Sequence, residues 1–331
     1  MKIVLGTPVI GARPRPWIEL NLPVPILVNS FNLIKRRPNP GDAPLHSLMQ
    51  HEGEVWLDSG GYQFLKRGME ISVDNIIDIY SKYWDAQAYL SLDYPPSPLD
   101  SREEAWLKMR RSLANYIELN RRLPGFNIVP VVHFYRDVNL SMEMLRMALD
   151  HNPSMIAIGA LVPYILMTHN VPKNSRRMAL EFIMRVKENH PKVHVLGLGS
   201  PIITPILRAL ELHSTDTATW RLKAVYGKVM MPGGGERHVT GRDIKFGKKE
   251  ATLNDINELY GFLKSTGFPL LDDFWTKLDS FEYRALINAW VVLMSNKPPS
   301  HGVFSVMYRE LMETIQVEGD SSRMLNQGSF K

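Results

Sequence analysis

Cysteine is absent from all 331 residues. Its absence excludes disulfides and thiolate metal sites, and removes the usual mark of a small secreted scaffold. Long apolar runs are missing as well. The longest, Met155 to Met167, is interrupted by Gly159 and Pro163, whereas a membrane span needs about 20 such residues. The apolar stretch in the opening MKIVLGTPVIGARPRP is too short for a signal peptide. There is no low-complexity tract, heptad run or internal repeat. These absences lead us to expect a cytoplasmic protein with no membrane contact.

Hydrophobic residues make up 44% of the chain, enough for a full core. Short apolar runs read as strands at Lys2–Leu5, Pro25–Val28, Glu54–Leu57, Ala88–Leu92, Asn127–Val132, Met155–Ile158, Val193–Leu196 and, weakly, Leu210–Thr215. Segments of helical period separate several of them. Ser72 is placed to cap one helix, Asp100 or Ser101 another and Asn174 a third, while Thr204-Pro205 opens a fourth. Strand–helix alternation predicts α/β architecture with a parallel sheet. About eight strands over roughly 215 residues fit a (β/α)8 barrel of the TIM type. A doubly wound sheet is the alternative, but Pro8 and Pro14 break the helix that its phosphate loop would have to open. From about Thr252 the pattern becomes helical, at Asn254–Lys264, Asp272–Ser295 and Val303–Val317. We expect a barrel over 1–250 and a helical extension over 251–331 packed on it.

Net charge is +5 and the pI about 9.2. Basic pairs recur at Arg110-Arg111, Arg121-Arg122, Arg176-Arg177 and Lys248-Lys249, with a triplet at Lys35-Arg36-Arg37. They read either as a solvated basic surface or as a track for a polyanion.

Chemistry in such barrels sits where strands end. Asp58, Asp93 and Asp216 all fall at such ends. Singly, each reads as a turn former or helix cap. Together, three carboxylates around one mouth suggest a nucleophile, a proton donor or acceptor, and a polar reader. Gly-containing segments IGALVP (158–163) and GLGSP (197–201) follow other strands. They serve either tight packing or close approach of a flat ligand to the backbone.

DSGGYQ at 58–63, LDYPP at 92–96, IGALVP at 158–163, LGLGSP at 196–201 and TDTATW at 215–220, in this order, resemble the tRNA-guanine transglycosylase family. The resemblance covers about residues 50 to 220. It implies exchange of guanine for a 7-deazaguanine base by double displacement at the sugar's anomeric carbon. On that likeness Asp216 is the nucleophile and Asp58 the general acid/base. Asp93, Ser59, Gly60, Gly61, Tyr62, His133, Gly159, Ala160, Leu161 and Leu196 surround the base. Tyr62 and Leu196 would stack on it, and His133, which stands where the family usually has Gln, would bond its carbonyl.

The family's tRNA enzymes carry a zinc site of three cysteines and a histidine, which this chain cannot form in that way, so no cofactor is expected. The resemblance therefore points to the DNA-modifying branch, found in phages and bacterial genomic islands, which inserts bases such as preQ0. For a phage-encoded enzyme the place of action is the host cytoplasm. Its partners would be DNA and the free base, with tRNA as the alternative polymer. A homodimer or partner proteins remain open. Arg221, Lys223, Arg237, Arg242 and Lys245 are the candidates for phosphate contact. From another class, a metal-dependent barrel hydrolase would draw ligands from His133, His194, His213, His238 and the aspartates. A non-catalytic nucleic-acid binder is the fourth reading, and three retained carboxylates argue against it.

Overall fold

The computed structural model describes residues 1–9, 13–34, 44–168, 171–240, 249–298, 302, 305–306 and 308–317. Nine parallel strand segments form one sheet: β1 (Lys2–Thr7), β2 (Ile26–Asn29), β3 (Val55–Asp58), β4 (Ala88–Leu90), β5 (Ile128–Val129), β6 (Val131–His133), β7 (Ile156–Gly159), β8 (Val193–Val195) and β9 (Ser214–Thr217). Their order is β5-β4-β3-β2-β1-β9-β8-β7-β6. β5 and β6 flank Pro130, which has no N–H to give a ladder. They are two halves of one strand. The Val129 carbonyl accepts from Ser91 N at 2.9 Å on one side, and the Pro130 carbonyl accepts from Ala157 N at 3.0 Å on the other. The sheet closes through this strand, giving the expected eight-stranded barrel.

Side chains alternate along each strand, and the two faces separate two apolar clusters. Val4, Leu27, Trp56, Ala88, Leu90, Val129, Val131, Met155 and Ala157 fill the barrel, with Leu196 packed against them. The opposite face, including Leu5, Val28, Leu57, Tyr89, Val132, Ile158 and Val195, joins the helices in the larger core. One step of two residues beyond the inner plug lie Asn29 after Leu27, Asp58 after Trp56, His133 after Val131 and Gly159 after Ala157. A polar layer on top of an apolar one follows from the strand period alone.

The eighth strand begins at Ser214, not Leu210. Leu210 instead ends the helix Thr204–Ala209, and Asp216 lies within the strand rather than after it. The segment after the barrel is a hairpin, β10 (Lys228–Met230) with β11 (Glu236–His238). Its turn uses Gly234 and Gly235 at φ 90° and 81°, values that glycine tolerates without strain. The expected helix over 272–295 is broken in two: Ser280 caps a fresh helix, Phe281–Met294, by accepting from Tyr283 N.

That helix packs on Thr219–Val225 and β10 through a buried polar anchor. Asn288 is fully buried. Its Nδ2 donates to the carbonyls of Trp220 at 3.0 Å and Lys228 at 3.1 Å, and its Oδ1 accepts from Met230 N at 2.7 Å. Arg284 donates to the carbonyls of Ala224 and Leu278. Replacing Asn288 by Leu strands three backbone groups in the core, so Asn288→Leu is expected to destabilise the chain by about 2–4 kcal/mol. Urea unfolding checks this through a lower midpoint at unchanged slope.

Candidate active site

The carboxylates at 58, 93 and 216 stand at the same end of the barrel. Asp58 closes β3 directly across from Asn29 in the β2–β3 register. Asn29 Oδ1 accepts from Phe31 N at 2.9 Å, so its amide nitrogen must face Asp58, donating to Oδ2 at 2.7 Å. Gly60 N donates to the same oxygen at 3.2 Å. Both of these donors fall on Oδ2. Enclosure by protein, followed by the charges of Asp93 and Asp216, pushes the Asp58 carboxyl up to about 7. These couplings tie the three carboxylates into one electrostatic unit.

Asp216 Oδ1 accepts from Gly197 N at 2.8 Å, and His194 Nε2 lies 3.3 Å from the same oxygen. Gly199 lets this loop press onto β9: a Cβ there would meet the Asp216 carbonyl at 2.8 Å. Asp93 Oδ2 contacts Nε2 of the fully buried His133 at 2.9 Å. The Nε2 of His133 is committed to Asp93, and its Nδ1 is buried without a partner among the described residues.

The paired glycines, too, are needed by the protein itself. A Cβ on Gly60, at φ 77°, would lie 2.7 Å from Asn29 Oδ1, and one on Gly61 would lie 2.6 Å from the Asp93 carbonyl. They draw the β2, β3 and β4 ends together and so bring Asp58 toward Asp93. Ser59 is buried, with its Oγ accepting from Gly61 N at 3.3 Å. Tyr62, in the short helix Gly61–Lys66, is 59% exposed. Gly159 ends β7 with no room for a Cβ, which would touch His133 and Val131 at 3.0 Å. Ala160 holds φ 62°, and Leu161 is fully buried, so this segment turns backbone rather than side chains to the mouth. Leu196 caps the apolar plug.

The basic candidates fare differently. Lys223 pairs with Glu236 at 2.5 Å, and Arg237 with Asp255 at 2.7 Å. Both ion pairs tie the β10–β11 hairpin to its surroundings. Arg221 donates to the Arg13 carbonyl and stacks over Phe281. Arg242 and Lys245 lie outside the described residues. Among the described residues no group of three or more His, Asp or Glu side chains is placed to hold a metal ion. Nor is any helix among them long and apolar enough to cross a membrane.

The elevated Asp58 pKa has a definite sign. Between the ordinary carboxylate range and about 7, the folded chain keeps a proton that the unfolded chain has lost. This contribution to stability is complete at low pH and disappears as pH rises through 7. Asp58→Asn removes it, so thermal melts should show the variant gaining on wild type by a few degrees between pH 5 and pH 8.

No protein-family model matches the chain. Over 305 residues it is 27% identical to "Uncharacterized protein 306" of Sulfolobus islandicus rod-shaped virus 1, covering 89% of this chain and 83% of that protein. It is 25% identical over 207 residues to the tRNA-guanine(15) transglycosylase of Nanoarchaeum equitans, covering 62% of this chain and 49% of that enzyme. The enzyme of the same name from Pyrococcus furiosus is 25% identical over 217 residues, with 64% and 36% covered. The chain thus spans half or less of these archaeal enzymes. Over some three fifths of its length, then, the chain is similar to part of enzymes named tRNA-guanine(15) transglycosylase.

Proposed function

We propose that the protein exchanges guanine in a nucleic acid for a 7-deazaguanine base through a covalent sugar–Asp216 intermediate. The observation that carries this reading is the coupled carboxylate trio, in which Asp58 is held protonated near neutrality beside Asp216. Asp216 Oδ2, free of the donors on Oδ1, attacks C1′ as the C1′–N9 bond breaks. Asp58 Oδ1 gives its proton to the departing purine. The incoming base then attacks C1′, the Asp216 ester opens, and Asp58 takes the proton back. Asp93 accepts from the purine edge with the oxygen that His133 leaves free. Tyr62 and Leu196 supply apolar surface for the ring, and the backbone at Ala160 and Leu161 supplies polar contacts.

We assign DNA as the polymer. No cysteine follows the barrel to build the zinc site of the tRNA enzymes, and a viral protein is similar over most of both chains. A duplex guanine would be flipped into the mouth at a cost of a few kcal/mol. The second reading, exchange into tRNA, is supported by the names of the archaeal relatives.

Labelled guanine offered with DNA and with tRNA tests both. We expect incorporation into DNA, and Asp216→Ala should lower it by roughly four orders of magnitude while DNA binding persists. Incorporation into tRNA alone would contradict the DNA assignment. Near-normal exchange by Asp216→Ala would contradict the nucleophile. The rate of the first displacement should fall as pH rises above 7, because Asp58 then loses the proton it must donate.

A further inference from the structure

Below Asp216 the barrel's apolar plug is broken by two inward polar residues on neighbouring strands, His194 on β8 and Ser214 on β9. Both are fully buried, and they are partners in the β8–β9 register. His194 Nδ1 lies 2.9 Å from Ser214 Oγ. The same hydroxyl lies 3.0 Å from Nδ1 of His213, which is partly buried at the start of the strand. At the other end, His194 Nε2 has no hydrogen-bond partner among the described residues. The acidic atom within reach is Asp216 Oδ1 at 3.3 Å, an ion-pair distance off the line of a good hydrogen bond. Trp56 packs on the imidazole at 4.8 Å and holds it in place.

The charge of Asp216 fixes the polarity of this chain. A bare Nε2 lone pair facing a carboxylate oxygen at 3.3 Å would be repelled, so Nε2 carries the hydrogen. Nδ1 is then the acceptor and takes the Ser214 hydroxyl hydrogen, and the hydroxyl oxygen in turn accepts from His213 Nδ1–H. Every donor points toward Asp216. Burial, with Lys2 nearby, holds His213 below the usual histidine range, which suits a single-N–H donor at the foot of the chain.

We propose that His194, oriented by Ser214 and His213, is a positioning residue for the nucleophile. Resting on the transglycosylase reading, it has a defined task there. Together with Gly197 N–H it engages Oδ1 and leaves Oδ2 to attack. Once the Oδ2–C1′ bond has formed, Oδ1 is the ester carbonyl oxygen. When the incoming base displaces that ester, negative charge returns to the carboxylate, and the two donors stabilise it as it develops. Hydrogen bonds of this kind are often long in an unliganded site and tighten during reaction.

Two measurements test the proposal separately. The first needs no activity: ¹⁵N spectra of the histidine side chains in the whole protein. We expect His194 with Nε2 protonated, and with a resonance that moves in Asp216→Asn. An unprotonated Nε2, or one indifferent to that substitution, would overturn the proposal. The second is kinetic. His194→Phe should lower kcat for base exchange by about 100-fold with KM for the free base unchanged. His194→Gln, whose amide nitrogen can take the place of Nε2, should recover most of the rate. Equal kcat in wild type and His194→Phe would overturn the proposal as well. A wild-type protein inert on both polymers would instead defeat the transglycosylase reading, and the spectra would still decide the role of His194 in holding Asp216.

Discussion

Three carboxylates held against one another at the mouth of one barrel resist being ionised together at neutral pH. The rest of the site follows from how the fold relieves that repulsion. Asp58, pushed up by enclosure and by the charges of Asp93 and Asp216, keeps its proton up to about pH 7. Asp93 is met by His133, and Asp216 by the Gly197 amide and the buried imidazole of His194. Each carboxylate therefore has a different set of neighbours. Differentiated carboxylates are what a displacement reaction requires, with a charged group to attack and a neutral one to donate.

The barrel makes this arrangement inexpensive. Inward positions along the strands alternate with outward ones, so an apolar layer around Trp56 and Leu27 lies directly under the polar layer of Asn29, Asp58 and His133. The apolar layer excludes water from below and strengthens the electrostatic coupling above. Glycines at 60, 61 and 199 then let strand ends approach more closely than any side chain would allow.

Much of this could be read from the chain. The apolar runs located seven of the eight strands of the barrel, because buried parallel strands are continuous hydrophobic stretches bounded by turn residues. The eighth was displaced, since SerThrAspThr is polar on both faces and gives no apolar signal. Asp58 and Asp93 stand at strand ends as the apolar runs led us to expect, whereas Asp216 lies inside its strand. The meaning of Gly60 and Gly61 was not, because the crowding atoms belong to residues some thirty positions away on neighbouring strands. That Lys223 and Arg237 pair with Glu236 and Asp255 was not legible, because these partners meet them only through the hairpin fold. The two-residue step from His194 to Leu196, and from Ser214 to Asp216, was visible as a pattern. That the two buried residues touch depends on cross-strand register, which the sequence does not print.

The central claim is that Asp216 forms the bond to the sugar. Denaturing a reacting mixture of protein, polynucleotide and free base, then mapping the linked peptide by mass spectrometry, measures it most directly. The account predicts a nucleotide adduct on the peptide bearing Asp216, absent from Asp216→Ala and retained when Asp93 is replaced. An adduct on Asp58 or Asp93, or active exchange with no covalent species at any aspartate, would contradict it.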